Sequence, residues 1–285
     1  MNLVIYLFLL LSSLQVLAGG ERFMAEASGL ARVGKTLVIA GDEDSRVLWV
    51  QEGESVKKLR VDGGKWDDLE DLAGLDSEHF FGVTSHSLTK NGQEKAEREQ
   101  LLLFTKGHGI SVKASWNLRE KILERLEETL AAELDLHVVR HGTHLTGGLN
   151  VEGLAYLSGK LYLGLRSPVT RHGEAILIEV NDPTSAPTLG KVRKLPLRGK
   201  GIRGLETFGN RLLVLSGTVD DSDTEFGLEL YDLSTAKLAP LNVPGFSNLM
   251  RPEAVVIESP GSILFAQDFE AWETQDVLVR LNYAR

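Results

Sequence analysis

The sequence predicts an all-β fold, a β-propeller of five blades with six as the alternative, carrying one inserted amphipathic helix. Three observations carry that expectation. First, a unit built on a small-Leu-Ala core recurs as Ser28-Gly29-Leu30-Ala31, Glu70-Asp71-Leu72-Ala73, Glu152-Gly153-Leu154-Ala155, Arg203-Gly204-Leu205-Glu206 and Glu253-Ala254-Val255-Val256. Second, each copy leads through a turn to a second apolar strand with a polar tip, at Asp42, His86, Arg166, Gly217 or Asp268, always 14–16 residues after the motif begins. Third, the motifs start 42, 82, 51 and 50 residues apart. Strand-rich repeats of roughly 40–50 residues are the mark of propeller blades.

The chain opens with an apolar stretch over residues 3–11, then Ser12-Ser13 and Val16-Leu17-Ala18. That pattern reads as a signal peptide, residues 1–18, cleaved after a small residue. It is short for a membrane span, and no later stretch reaches the roughly 18 apolar residues that a span needs. Residues 22–285 are expected to form one monomeric domain. Blade one covers about residues 23–61, and blade two begins at Trp66. The long second interval holds either a degenerate sixth blade near residues 101–150 or an insertion. Leu118, Ile122, Leu126 and Leu130, with Leu123 and Leu134, form one apolar stripe over residues 117–134, which favours an inserted helix packed on the propeller. Asn117 with Glu120 reads as its capping box. Blades three and four run from Glu152 to about residue 197 and from Arg203 to about residue 243. Blade five has three strands. Residues 22–26 are the candidates for its fourth, which would close the ring and remove its edges.

Composition narrows the function. A net charge of −9 and a pI near 5.4 argue against nucleic acid as a partner. The chain has no cysteine, so disulfides and thiolate zinc sites are excluded. An exported chain without cysteine suits a periplasmic or secreted location. No G-x-S-x-G elbow and no phosphate-binding glycine loop is present.

Inner strands of a propeller end around a central channel, so motif residues and tips should converge at one mouth. Carboxylates, arginines and a histidine gathered there need compensation, by mutual pairing or by a hard metal ion. Asp42, Asp44, Glu70, Glu253 and Asp268 are the candidate ligands of such an ion, and calcium is the expected one because it takes six to eight oxygen ligands. Arg166 and Arg203 are the candidates for holding an anion. His86, Glu152 and Glu206 are the candidates for acid–base work. The alternative for each polar motif residue is a structural tie from one blade to the next. His137, Arg140, His141 and His144 form a further cluster, without an acidic third ligand for zinc.

At these residues the chain resembles a family of uncharacterised bacterial secreted proteins known only as a domain of unknown function. The resemblance rests on Gly41-Asp42-Glu43-Asp44, Asp68-Leu69-Glu70, Ser85-His86-Ser87, Val151-Glu152-Gly153-Leu154-Ala155, Gly164-Leu165-Arg166-Ser167-Pro168 and Ile202-Arg203-Gly204-Leu205-Glu206. More distantly, the Glu-Gly-Leu-Ala units look like those of esterase-like phytases and other calcium-containing propellers. That likeness implies calcium and phosphoester chemistry, although Ser28 and Arg203 stand where a repeated Glu would be. Two readings follow. One is a calcium-assisted hydrolase of phosphoesters or related esters. The other is a non-catalytic propeller that binds a small anionic ligand or a cell-envelope protein at the same mouth.

Overall fold

The computed structural model describes residues 27–41, 45–220, 222, 225–267 and 277–283. The first antiparallel group is β1 (Ala27–Val33), β2 (Thr36–Gly41), β3 (Val47–Glu52) and β4 (Ser55–Asp62), and the second is β5 (Leu69–Gly74), β6 (His79–Thr84), β7 (Gln100–Lys106) and β8 (Ile110–Asn117). Helices α1 (Arg119–Leu130) and α2 (Leu136–His141) follow. Next come β9 (Asn150–Leu157), β10 (Lys160–Ser167), β11 (Ala175–Asn181) and β12 (Thr188–Leu195), then β13 (Gly201–Phe208), β14 (Arg211–Gly217), β15 (Gly227–Asp232) and β16 (Lys237–Pro240). The last group is β17 (Pro252–Ser259), β18 (Ser262–Gln267) and β19 (Leu278–Asn282). Residues 22–26, expected to complete it, and the signal segment 1–18 lie outside the described residues.

The first strand of each group is a sheet edge, and these strands pack side by side in a ring: β1 on β5, β5 on β9, β9 on β13, β13 on β17 and β17 on β1. This is propeller architecture. Residues 101–150 hold the two outer strands of the second group and the two helices, with no additional sheet among the described residues. The first two groups are also joined at their outer edges, where β4 runs parallel to β8 through Val61–Ile110 and Asp62–Ser111.

Burial falls from the axis outward, as the residue patterns require. The continuous apolar run Leu37-Val38-Ile39-Ala40 is buried on both faces of β2, β3 alternates, and β4 is mostly exposed. Facing sheets enclose separate apolar cores. Val38, Phe80 and Phe104 fill the space between groups one and two. Leu177, Leu205 and Val214 lie between three and four, Val255 and Phe265 between four and five, and Leu30, Ile39 and Leu264 between five and one. The β9–β10 hairpin closes on Ser158-Gly159, both at positive φ (54° and 83°), which matches the right-handed strand twist.

The inserted helix forms where the stripe predicts, and Ile122, Leu126 and Leu130 enter the core between groups two and three with Phe81, Leu154 and Ile178. Its start differs from expectation. The N-cap is Leu118, in helical conformation and without a side-chain cap. Asn117 is the last residue of β8, so its amide is shared between the Arg119 N–H (3.2 Å) and Glu99 Oε2 (2.6 Å). The strand claims the residue before the helix can use it as a capping box. Because Leu126 is fully buried, Leu126→Ala should cost about 2–5 kcal/mol in a denaturant titration, and Leu126→Asp more. An unfolding curve for Leu126→Asp equal to the parent's would show that the helix is not part of this core.

Candidate functional site

The five motif residues share one backbone feature. In β1, Ala27 pairs with Gly41 and Gly29 with Ala40, which leaves Ser28 as an extra residue. The same two-against-one register isolates Glu70 in β5, Glu152 in β9, Arg203 in β13 and Glu253 in β17. A β-bulge turns its extra side chain away from the ordinary alternation. The repeated polar position is therefore a repeated bulge at the start of each inner strand, beside the end of its hairpin partner. Of the described tips, His86, Arg166 and Gly217 lie at the same ends as the motifs. Asp42, Asp44 and Asp268 fall outside the described residues.

On one side of this mouth the charges pair with one another. Arg166 Nη1 lies 2.9 Å from Glu152 Oε1, which also accepts from Asn150 Nδ2 at 2.9 Å. Arg203 Nε donates to Glu253 Oε2 at 3.0 Å, a second guanidinium bond reaches Glu253 Oε1, and Glu152 Oε2 is 3.7 Å from Arg203 Nε. The result is an alternating chain, Arg166–Glu152–Arg203–Glu253, with Glu152 and both arginines buried. Arg166 also donates to the carbonyl of Asp220 (2.7 Å) and that of Thr218 (3.3 Å). Glu70 acts electrostatically on Arg98. Among the described residues, no three His, Asp or Glu side chains are grouped to hold a metal ion. Glu253 and Glu152 already have cationic partners, so the described part of the mouth does not fit calcium.

His86 is fully buried at φ +57°. Its Nδ1 sits 2.6 Å from the Thr84 carbonyl, so Nδ1 carries the proton and the neutral ring presents a bare Nε2, which has no hydrogen-bond partner. Arg119 donates to the His86 carbonyl. Burial, with a contribution from Arg119 and against the Thr84 bond, pulls its pKa down to about 4.

Below the mouth lies an arrangement that the sequence reading did not single out. The second motif position is Gly29, Gly153, Gly204 or Ala254 in four groups, and these small residues let inner strands approach; a Cβ at Gly29 would sit 2.9 Å from Asp71 Cα. In the second group the position is Asp71. Its buried carboxylate accepts the N–H groups of Leu72 (2.8 Å), Leu154 (2.7 Å) and Leu205 (3.4 Å), from strands β5, β9 and β13. The fourth position is Ala, Ala, Ala and Val in four groups and Glu206 in the other. Glu206 accepts the Thr207 N–H at 2.5 Å and is held also by the Ile257 N–H of β17. It thus lies deeper along the axis than the mouth residues with which it was grouped. Burial pushes Asp71 well above its ordinary value despite its backbone bonds, with Glu206 adding to the rise. Burial pushes Glu206 up to about 7. The signal that finds both residues is their departure from the small residues of the repeat.

A cleft of about 280 Å³ adjoins the Arg166 end of the mouth. Its walls are Leu134, Val138 and Leu145 on the insertion side, and Pro168, Val169 and Val219 from the loops after β10 and β14. Leu145 is 55% exposed. Arg171 and His144 also line the cleft, with the carboxylates of Glu133, Asp135 and Asp220. The Arg171 guanidinium contacts His172 (3.4 Å) and forms no ion pair among the described residues.

The chain belongs to the family described as protein of unknown function (DUF3616), whose sequence model matches residues 42–242. No curated protein sequence matches it. Among solved structures it is similar to a putative oxidoreductase (glucose dehydrogenase) from Thermus thermophilus, at 13% identity and TM-score 0.50 over 95% of this chain and 99% of that one. It is also similar to a chain of a nidogen/laminin complex (14% identity, TM-score 0.46, 85% of this chain and 72% of that one) and to the Pan2 WD40 domain of Neurospora crassa (12%, 0.42, 85% and 58%). At these identities the likeness concerns the fold alone.

Two outcomes are expected from the axis. Arg203→Met strands Glu253, while Glu152 keeps Arg166, and should cost about 3 kcal/mol in denaturant unfolding; a loss under about 1 kcal/mol would make the ion chain a surface-like one. The second concerns pH. Glu206 holds its proton more tightly in the folded chain, so its contribution to stability falls as pH rises from about 4.5 to about 7. Asp71 and Glu229, both raised by burial, act in the same sense. His86 does the reverse: between about 4 and 6.5 only the unfolded chain takes up its proton, so stability rises with pH. The Glu206 and His86 contributions are each on the order of 3 kcal/mol and oppose each other. Glu206→Gln should therefore tilt stability upward with pH relative to the parent, and His86→Asn, which tolerates the left-handed backbone, should tilt it downward. Profiles parallel to the parent's over pH 4.5–7 would contradict both assignments.

Proposed function

We propose that this DUF3616 chain is an exported, non-catalytic binding propeller whose ligand is a small molecule with an apolar body and a carboxylate, seated in the cleft beside the channel mouth. The observation that carries this reading is the cleft itself: mostly apolar walls, an exposed leucine and one arginine whose guanidinium makes no close ion pair among the described residues, although it acts electrostatically on Glu133. Small-molecule sites are concave and apolar with a few placed polar groups. An arginine fork matches a carboxylate. Export rests on the apolar start of the chain; no helix among the described residues is long and apolar enough to cross a membrane.

The hydrolase reading has less support. A general base must come within hydrogen-bond reach of the proton it takes. His86 and Glu152 are buried and bonded within the protein, and Glu206 caps backbone N–H groups on the axis. Arg166 and Arg203 are committed to Glu152 and Glu253. The calcium reading rests on Asp42, Asp44 and Asp268, to which Glu70 could add.

A thermal-shift screen of aliphatic and aromatic carboxylates tests the proposal. At least one should raise the unfolding temperature, since a ligand at a hundredfold its Kd adds about 2.7 kcal/mol. The rise should disappear in a Leu145→Asp, Arg171→Gln variant that unfolds like the parent. No shift with any carboxylate, or an equal shift in the variant, would overturn the cleft as the site. In parallel, stabilisation by millimolar calcium over chelator, together with turnover of a phosphate monoester that is lost in Glu152→Gln, would reinstate the hydrolase.

A further inference from the structure

Arginines in this chain are closely partnered. Among the described ones, Arg46, Arg60 and Arg198 alone make no side-chain hydrogen bond, ion pair or ring contact. Two of those three line the same pocket, of about 360 Å³, with Lys65, Asp62, Gly63 and Gly64. The pocket lies where β4 leaves β3, and nothing in the binding proposal uses it.

Its construction follows from the backbone. Val47 pairs with Arg60, and the carbonyl of Arg46 accepts the Val61 N–H at 2.8 Å, so the β3–β4 ladder holds the two arginines on neighbouring positions. Immediately afterwards β4 leaves β3 for β8. Gly63, at φ +79°, makes that turn, and Gly64 lets the chain pass β8: a Cβ there would lie 2.4 Å from Val112 Cγ2. The turn brings Lys65 to the same pocket, where it pairs with Glu97 at 2.9 Å. Among the described residues, Asp62 is the sole carboxylate lining it.

Like charges on adjacent strands repel, and placing two unpaired arginines there runs against a chain of net charge −9. Cations on outer strands commonly guard a sheet edge against pairing. That role does not call for a concave site lined by both arginines, and β8 takes over the edge from Val61 onward. Two planar guanidinium forks and an ammonium suit an oxyanion, which two forks can grip bidentately.

We infer that this pocket is an anion-binding subsite for a phosphate or sulfate group, held between Arg46 and Arg60 with Lys65 beside them. The group can belong to a soluble molecule or to a lipid headgroup. Calorimetric titration with inorganic phosphate and sulfate, against chloride at equal ionic strength, tests the site. The comparison is an Arg46→Gln, Arg60→Gln variant, in which both changes are at exposed positions, with its fold checked by circular dichroism. The expected result is binding by the parent at millimolar concentration and at least tenfold weaker binding by the variant. Co-sedimentation with phosphatidylglycerol vesicles, but not phosphatidylcholine vesicles, that is lost in the variant assigns the headgroup as the source; phosphate binding without vesicle retention assigns a soluble one. Parent binding no tighter than the chloride control, or variant binding equal to the parent's, would overturn the inference.

Discussion

The unpaired edges of the inner strands are the constraint on which this structure depends. Every group begins with a strand that has a neighbour on one side only, and the ring brings all of those open edges to the axis. Buried N–H groups without acceptors are costly. The Asp71 carboxylate answers part of that need by binding N–H groups from three inner strands, and Glu206 answers another part at β17. Burial raises the proton affinity of both carboxyl groups, and Glu206 adds to the rise at Asp71. The axis is therefore held together by the groups whose burial is least favourable, and this couples the fold to pH.

The same geometry shapes the mouth. A bulge at the start of each inner strand takes one polar side chain out of the sheet pattern and directs it by backbone alone. What that side chain does then depends on its neighbours. Ser28 donates to the Leu69 carbonyl at 2.5 Å, a tie between groups one and two. Glu152, Arg203 and Glu253 form an ion chain that spans groups three, four and five. Equivalent positions thus do equivalent structural work through different chemistry, as the alternative of blade-to-blade ties anticipates.

The insertion links stability to recognition. Its apolar stripe completes the core between groups two and three, and its far end supplies one wall of the cleft. Arg119 fastens it by donating to the carbonyls of His86 and Arg140, so the wall stands against the rim of the mouth. Helix α2 was not legible in the sequence, because six residues rich in histidine and valine carry too little periodicity to be told from a loop.

By itself the sequence determined the repeat, the strands and their polar tips, and the helix that interrupts them. These follow from local pattern: alternation, apolar runs and a stripe at helical spacing are properties of neighbouring residues. It also marked Asp71 and Glu206, as departures from the small residues of the motif, but an alignment of repeats treats such departures as noise. Only the tertiary structure decided which charges meet. Arg203 lies 50 residues from Glu253, and Asp71 lies 134 from Leu205. A carboxylate becomes a metal ligand, a base or a strand tie according to what the ring places within about 3 Å of it. That partner is set by closure of the fold, and no spacing along the chain encodes it.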